Sequence, residues 1–171
     1  AVVIDSYYYR NKGLVYSPDK DLRMVVYPLY DLDTGRVCTI ADPFGDISIS
    51  STESGLPHPR GQGLKFFWWQ MLMGDTADNI RGLDKYQGKN IGMKKAYELL
   101  KPIKDEVTAA IVVLSAYKEI NQNPLPEANM LWLLRNEADS FQKHLAELTP
   151  SMPHELVQWL RDCYKRKWRK D

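Results

Sequence analysis

The sequence predicts a mixed α/β fold in which a small sheet is followed by an all-helical part, and three observations carry that expectation. Residues 14–40 hold two short apolar runs, "LVYS" and "VVYPLYDLDTGRVCTI", and the second alternates around Asp33-Thr34-Gly35, the pattern of a β-hairpin turning at a glycine. From Leu64 onward the apolar residues recur at helical spacing. Pro102, Asn123-Pro124 and Pro150 to Pro153 punctuate that region, which predicts helices over 64–73, 92–101, 104–121, 126–147 and 153–169.

The remaining elements follow from local chemistry. "AVVIDSYYYRNKG" is expected to be a first helix that stops at Asn11 to Gly13, with Tyr7, Tyr8 and Tyr9 half-buried on it. Pro28 cannot donate to a ladder, so the first strand of this hairpin, which contains it, is expected at a sheet edge. Residues 41–62, rich in Ser, Gly and Pro, are expected to be a long surface loop. Phe66, Phe67, Trp68 and Trp69 at helical spacing are expected in the core between sheet and helices rather than as stacking partners for bases. The division expected from this pattern is an α/β core over 1–73 and a helical region over 74–171.

Composition narrows function less than arrangement does. A chain of 171 residues that is 44% hydrophobic can build a genuine core. Cys38 and Cys163 are far apart and form no C-x-x-C pattern, so no disulfide framework or zinc site is indicated and a reduced, cytoplasmic setting is expected. The first ten residues lack a signal-peptide pattern, and no apolar run approaches the ~20 residues of a membrane span. The formal net charge is +1, but it is unevenly spread: residues 1–84 hold 8 Lys+Arg against 11 Asp+Glu, and residues 85–171 hold 15 against 11. Between Lys85 and Lys104 six lysines meet one acid, Glu98. A lysine-rich stretch is most often a solvated helix face; segregation of this kind also suits a protein that holds cations in one part and a polyanion in another.

Chemistry concentrates in three short stretches. Asp19 and Asp21 follow a strand, and in an extended segment their spacing puts both on one side with Lys20 on the other. Asp75 and Asp78 are three apart, the spacing of one face of a helical turn. Four carboxylates with no softer donors nearby suit Mg²⁺ or Mn²⁺. His58, His144 and His154 fit no ligand spacing and are expected as surface or cap residues. Each acid pair alone has an ordinary reading, a turn for D-x-D and a helix cap for D-x-x-D, and D-x-D also occurs as the metal motif of glycosyltransferases. In the third stretch, "LDKYQGKNIGMKKAYELL", Gly88 and Gly92 frame a turn that opens onto a helix carrying Lys94 and Lys95. Free N–H groups at that helix start, with lysines beside them, would read phosphate backbone rather than base sequence. The basic tail "YKRKWRKD" around Trp168 is either a further backbone contact or a solvated helix end.

Taken in order, "SPDKDLRM", "GDTADNIRG" and "IGMKKAYELL" resemble motifs of the flap endonucleases and 5′-to-3′ exonucleases, especially bacteriophage members and the 5′-nuclease domains of bacterial DNA polymerases. Those carry Ser-Gly-Asp-Lys-Asp, then Gly-Asp-x-x-Asp-Asn-Ile-Pro-Gly, then a helix-three-turn-helix motif ending Ile-Gly-x-Lys-Thr-Ala. The likeness spans most of residues 14–100. Pro18 stands where the family has Gly, Arg81 where it has Pro and Lys95 where it has Thr, and Leu83 to Ile91 is longer than the family's hairpin.

The resemblance implies a partial PIN-like sheet and a helix-three-turn-helix motif at about 80–100. It implies Asp19, Asp21, Asp75 and Asp78 as metal-holding, catalytic carboxylates for one or two Mg²⁺ or Mn²⁺ ions. Arg81, Gly88, Lys89, Gly92, Lys94 and Lys95 are the implied grip on duplex DNA, with K⁺ a further implied ligand of that turn. The implied activity is metal-assisted hydrolysis of DNA phosphodiesters at a 5′ end or flap, in the cytoplasm of a bacterial or phage-infected cell. The family's first-strand acid, its Glu-x-Asp-Asp cluster and its helical arch have no counterpart here. The chain is therefore expected to be the C-terminal portion of such a nuclease, complete only with a separate N-terminal half. The alternatives are a non-catalytic DNA-binding remnant and a structural module in which both acid pairs are caps.

Overall fold

A computed structural model describes residues 1–52 and 54–166. The basic tail beyond Arg166, Trp168 included, lies outside the described residues. Among them the chain is mixed α/β, with seven α-helices and two small sheets. Helix α1 (Val2–Tyr9) leads into strand β1 (Val15–Tyr16), a 3-10 turn over Lys20–Met24, and the hairpin of β2 (Leu29–Asp31) and β3 (Arg36–Cys38). Strand β1 runs parallel to β2, and β2 antiparallel to β3. Gly35, at φ 65°, closes the hairpin where the sequence places its turn. Pro28 does not put β2 at an edge: β2 is the central strand. Pro28 stops one residue short of the ladder, where its missing N–H costs nothing, and its carbonyl accepts from the Val15 N–H at 2.8 Å.

The segment 41–62 is a second sheet, not a loop. Strands β4 (Asp46–Ser51) and β5 (Pro57–Gln62) pair antiparallel over their full length. Two facts outweigh the turn-like composition. Ile47 is buried, at 1% exposure, and Ile49 two residues on packs against the same core, the alternation of a half-buried strand. Pro57 and Pro59 lie on alternate residues of a strand with one unpaired edge, where a missing donor is harmless. The glycines serve close approach: a Cβ on Gly45 would meet the Gln62 carbonyl oxygen at 1.9 Å.

Helix α2 (Leu64–Met73) is the centre of the molecule. Its residues from Leu64 to Leu72 are all buried, because its sequence is apolar on every side. Packed around it are α3 (Met93–Leu100), α4 (Glu106–Glu119), α5 (Leu125–Leu131) and the 3-10 turn Lys20–Met24. The core containing α2 runs from Met24 to Cys163, on both sides of residue 73, and a smaller cluster of Val3, Val15, Leu22, Val25 and Leu29 fills the space under α1 and the first sheet. Most of the buried polar atoms on α2 are matched outward, Gln70 Oε1 being the exception among the described residues. Lys65 Nζ donates to the carbonyls of Lys101 and Ile103 at 3.0 and 2.8 Å and pairs with Asp46. Trp68 Nε1 donates to Glu106 at 3.0 Å, and the Tyr117 hydroxyl to the Met71 carbonyl at 2.6 Å. No described helix is long and apolar enough to cross a membrane.

The stretch 126–147 is two helices, α5 and α6 (Phe141–Leu148), followed by α7 (His154–Lys165). The break is built by side chains that compete for backbone donors. Asp139 Oδ2 accepts from the Arg135 N–H at 2.9 Å and the Trp132 indole at 3.1 Å, and Ser140 caps α6 by accepting from the Lys143 N–H at 3.1 Å. His144 is not a surface residue: it is buried, stacks on Trp132 at 4.8 Å and pairs with Glu106 at 2.6 Å. Tyr8 and Tyr9 are exposed, whereas Tyr7 packs edge-on against Tyr27 at 5.0 Å, and burial pushes its phenol up to about 12.

The break also sets an acid sensitivity. Burial works to raise the Asp139 pKa, but the Arg135 guanidinium and N–H and the Trp132 indole outweigh it and hold the carboxyl down to about 2. A carboxyl with a depressed folded pKa contributes stability that is present above the unfolded value, near ~4, and is lost as pH falls through the folded one; here the difference is worth about 2 kcal/mol. Urea unfolding across this acid range is expected to show that loss in the wild type, and Asp139→Asn is expected to flatten it by a similar amount.

Candidate metal centre and basic turn

Strand β1 delivers the chain to Asp19 and α2 delivers it to Asp75, and the two deliveries converge. Asp21, Asp75 and Asp78 each place a carboxylate oxygen within 4.8 Å of the others. Asp75 is buried, Asp21 half-buried and Asp78 exposed, so the cluster is closed at one side and open to solvent at the other. Neither acid pair adopts the local geometry that its spacing suggests. Residues 74–82 form a tight turn rather than a helical one: the Asp75 N–H donates to the Ile80 carbonyl at 2.7 Å, and the Ile80 N–H to the Asp75 carbonyl at 2.8 Å. Asp19 and Asp21 are not on an extended segment. Asp19 is the cap of a 3-10 turn, accepting from the Asp21 N–H at 3.0 Å. About three residues per turn separate their side chains around the axis, which leaves Asp19 outside the gathered group.

That same winding brings Lys20 in rather than away. Its ammonium binds Asp75 Oδ2 directly and lies 3.2 Å from Asp21 Oδ1. Gln70 Nε2 donates to the same Asp21 oxygen at 2.7 Å, and the Ala77 N–H donates to Asp75 Oδ1 at 3.0 Å. The two inner acids titrate apart. Burial raises the Asp21 pKa, and the neighbouring Asp75 charge adds to this against the pull of Lys20 and Gln70. Asp75 is also pushed up by burial, but Lys20 and the Ala77 N–H prevail and lower it. Burial works against the Lys20 charge, and its carboxylate partners outweigh it and raise its pKa. Three carboxylates against one ammonium leave a local excess of negative charge over hard oxygen donors only, a donor set that fits Mg²⁺ or Mn²⁺. Lys20 already supplies one positive charge to this cluster.

Glycine contacts hold the turn shut. Gly74 and Gly82, at φ 72° and 70°, pack backbone to backbone, and a Cβ on Gly74 would meet the Arg81 and Ile80 carbonyl oxygens at 2.4 Å. Gln122, just past α4, braces the far side: it donates to the Gly82 carbonyl and accepts from the Asp84 N–H, each at 2.8 Å. Gln70 and Gln122 carry no sequence signal, because each acts on a residue roughly forty or more positions away, at separations of 49 and 40.

The chain then forms a second tight turn. Tyr86 and Lys89 exchange both backbone hydrogen bonds, with Gln87 and Gly88 left-handed at φ 50° and 76° between them, the conformation of a two-residue hairpin loop. Gly92 follows as the cap of α3 without a side-chain hydrogen bond. Open space surrounds both Gly88 and Gly92. Arg81, Lys89, Lys94 and Lys95 are exposed, and among the described residues only Lys95 of these forms an ion pair, 3.4 Å from Glu98. Trp69 Nε1 donates to the Met93 carbonyl at 3.2 Å, which seats the start of α3 on α2.

Replacing Gly74 by Ala is expected to destabilise the chain by about 2–4 kcal/mol, the sum of a left-handed alanine and an overpacked backbone contact; denaturant titration measures it. Comparison of the chain with family models, curated proteins and solved structures gives no match.

Proposed function

We propose that this chain is part of a Mg²⁺- or Mn²⁺-dependent 5′-to-3′ exonuclease or flap endonuclease that hydrolyses DNA phosphodiester bonds. The observation that carries the proposal is the meeting of Asp21 with Asp75 and Asp78 from two separate segments, beside a helix, a series of turns and a second helix that carries exposed lysines. The order of these parts, α2, the turns of residues 74–92 and α3, supports reading them as a helix-three-turn-helix element, and the strands before them as part of a PIN-like sheet.

In this reading a divalent ion bound at the cluster supplies Lewis-acid polarisation of the phosphate and a water of lowered pKa. The chain's own contribution is placement. Asp75, pinned by the Ala77 N–H, and Asp21, pinned by Gln70, present fixed oxygens, while exposed Asp78 offers a third carboxylate on the open, solvent side. Asp19 takes part as the cap that shapes the turn carrying Asp21. Arg81, Lys89, Lys94 and Lys95, with the open backbone at Gly88 and Gly92, meet duplex phosphates without reading bases. Further acid-bearing elements, supplied by a partner or another segment, complete the catalytic site. Duplex binding without hydrolysis is the second reading, favoured by Asp19 standing apart from the cluster.

Three measurements test this. Calorimetric titration with Mn²⁺ is expected to show binding by the wild type and none by Asp75→Asn/Asp78→Asn; equal binding by both would remove the metal reading. Duplex affinity is expected to fall with salt, and Lys94→Ala/Lys95→Ala to flatten the slope of log affinity against log salt by roughly two units. An unchanged slope, read by fluorescence anisotropy on two unrelated duplexes, would sink the assignment of this turn. Cleavage of a 5′-labelled flap substrate by this chain alone is expected to be weak, and to rise when the acid-bearing elements are supplied in trans; absence of any rise, with DNA binding intact, would select the non-catalytic reading.

A further inference from the structure

Helix α1 carries an exposed aromatic face that the candidate centre does not use. Tyr8 and Tyr9 are 77% and 55% exposed and lie edge to face at 5.0 Å, and Tyr16 on β1 is 68% exposed beside Tyr30 at 5.5 Å. Scattered exposed apolar side chains are ordinary, whereas large rings gathered around shaped hollows mark a contact surface. Two open hollows flank α1. One, of about 270 Å³, lies between α1 and β1 and is lined by Val2, Tyr9, Leu14, Tyr16 and Tyr27. The other, of about 500 Å³, is lined by Ile4, Tyr7, Tyr8, Tyr27 and Asn136. Arg10 lines both. Its backbone stands at φ 52° and ψ −129°, a left-handed conformation that glycine adopts freely and other residues rarely do. Strain of that kind, at an exposed residue, directs attention to what its side chain does. Arg10 and Lys12 are both exposed, with no carboxylate at ion-pair distance among the described residues. The other guanidinium of the second hollow, Arg135, is committed to Asp139 at 2.9 Å, and Asp5 is the one acid that lines either hollow.

We infer that this face binds unpaired nucleotides of a single strand: a base stacks on the tyrosines of each hollow, and Arg10, at the seam, meets the phosphate that joins them. This rests on the nucleic-acid reading given above and adds to it a second site, with the duplex left to the turns of residues 81–95. Every base presents a ring face, so stacking of this kind tolerates any sequence, and a cation beside the rings supplies the counter-charge for the backbone. Charge selects this occupant over an apolar one. An apolar partner would cover the hollows and leave the Arg10 guanidinium without an acceptor between them, whereas a phosphodiester brings oxygens of opposite charge to that point.

Fluorescence anisotropy on the full chain, with a labelled thymidine oligonucleotide and a labelled duplex at several salt concentrations, tests this. Tyr8→Ala/Tyr9→Ala removes rings that stand mostly in solvent, so the fold is kept. It is expected to weaken single-strand binding about tenfold and to leave duplex affinity unchanged. Arg10→Gly relieves the backbone and is expected to melt no lower than the wild type, yet to weaken single-strand binding and flatten its salt slope by about 0.7. Lys94→Ala/Lys95→Ala is expected to do the reverse, weakening the duplex and sparing the single strand. Wild-type single-strand affinity in either folded variant of this face would overturn the inference, and a change of oligomeric state in its place would assign the face to a protein contact. Equal losses on single strand and duplex would overturn it too, since the two sites would then not be separate. Binding of the duplex but not of the single strand by the wild type would overturn this inference alone; binding of neither would overturn the nucleic-acid reading with it.

Discussion

Burial of α2 from Leu64 to Leu72 is the constraint on which the remaining structure depends. A helix buried on every side over nine of its ten residues cannot rotate or slide without opening the core all round at once, since interiors are packed as densely as organic crystals. Two adjacent residues on this rod reach in different directions: Trp69 to the carbonyl that begins α3, Gln70 to the carboxylate of Asp21. The basic turn and the acid cluster are therefore referenced to one rigid element. Their relation is set by the fold, not by the loops that carry them.

Charge is organised by the same helix. The acidic first half and the basic second half touch where Asp46, on β4, receives both Lys65 and Lys101. Lys65 lies almost wholly inside the protein and spends its remaining donors on the carbonyls of Lys101 and Ile103, beyond the end of α3. A buried charge is tolerated only with this degree of pairing. The arrangement secures the end of α3 opposite to its exposed lysines, so the helix is anchored at one end and presented at the other.

Legibility of the fold tracked how far each decision depends on neighbours in sequence. The bounds of α2 and the glycine turn at residues 33–35 could be read directly, because apolar periodicity and turn chemistry are local. The second sheet could not: Ser, Pro and Gly in residues 41–62 argue for a loop, and only the core waiting for Ile47 makes them strands. Helix breaking at Trp132 depends on Asp139 competing for backbone donors, which no helical periodicity reveals. In the candidate centre the identities of Asp21, Asp75 and Asp78 were visible while their geometry was not. Spacing alone implies a helical turn at 75–78 and an extended segment at 19–21, and the chain instead makes a bridged turn and a 3-10 turn. Asp19 lost its place in the cluster through that difference and Lys20 gained one. Gln70 and Gln122 had no local signal because amide side chains acquire a role only from what the fold brings to them.

The ammonium of Lys20 is seated between Asp21 and Asp75, so on the proposed metal reading this centre would be an ion exchanger rather than an empty trap. The chain can fold without waiting for a metal, since the repulsion among its acids is already partly relieved from within. A divalent ion bound there would have to displace a tethered monovalent one, so part of its electrostatic gain would be returned in evicting the incumbent. Capture would be correspondingly shallow and reversible, and the evicted side chain, still attached at the rim of the cluster, would become a free positive charge beside whatever anion came with the ion.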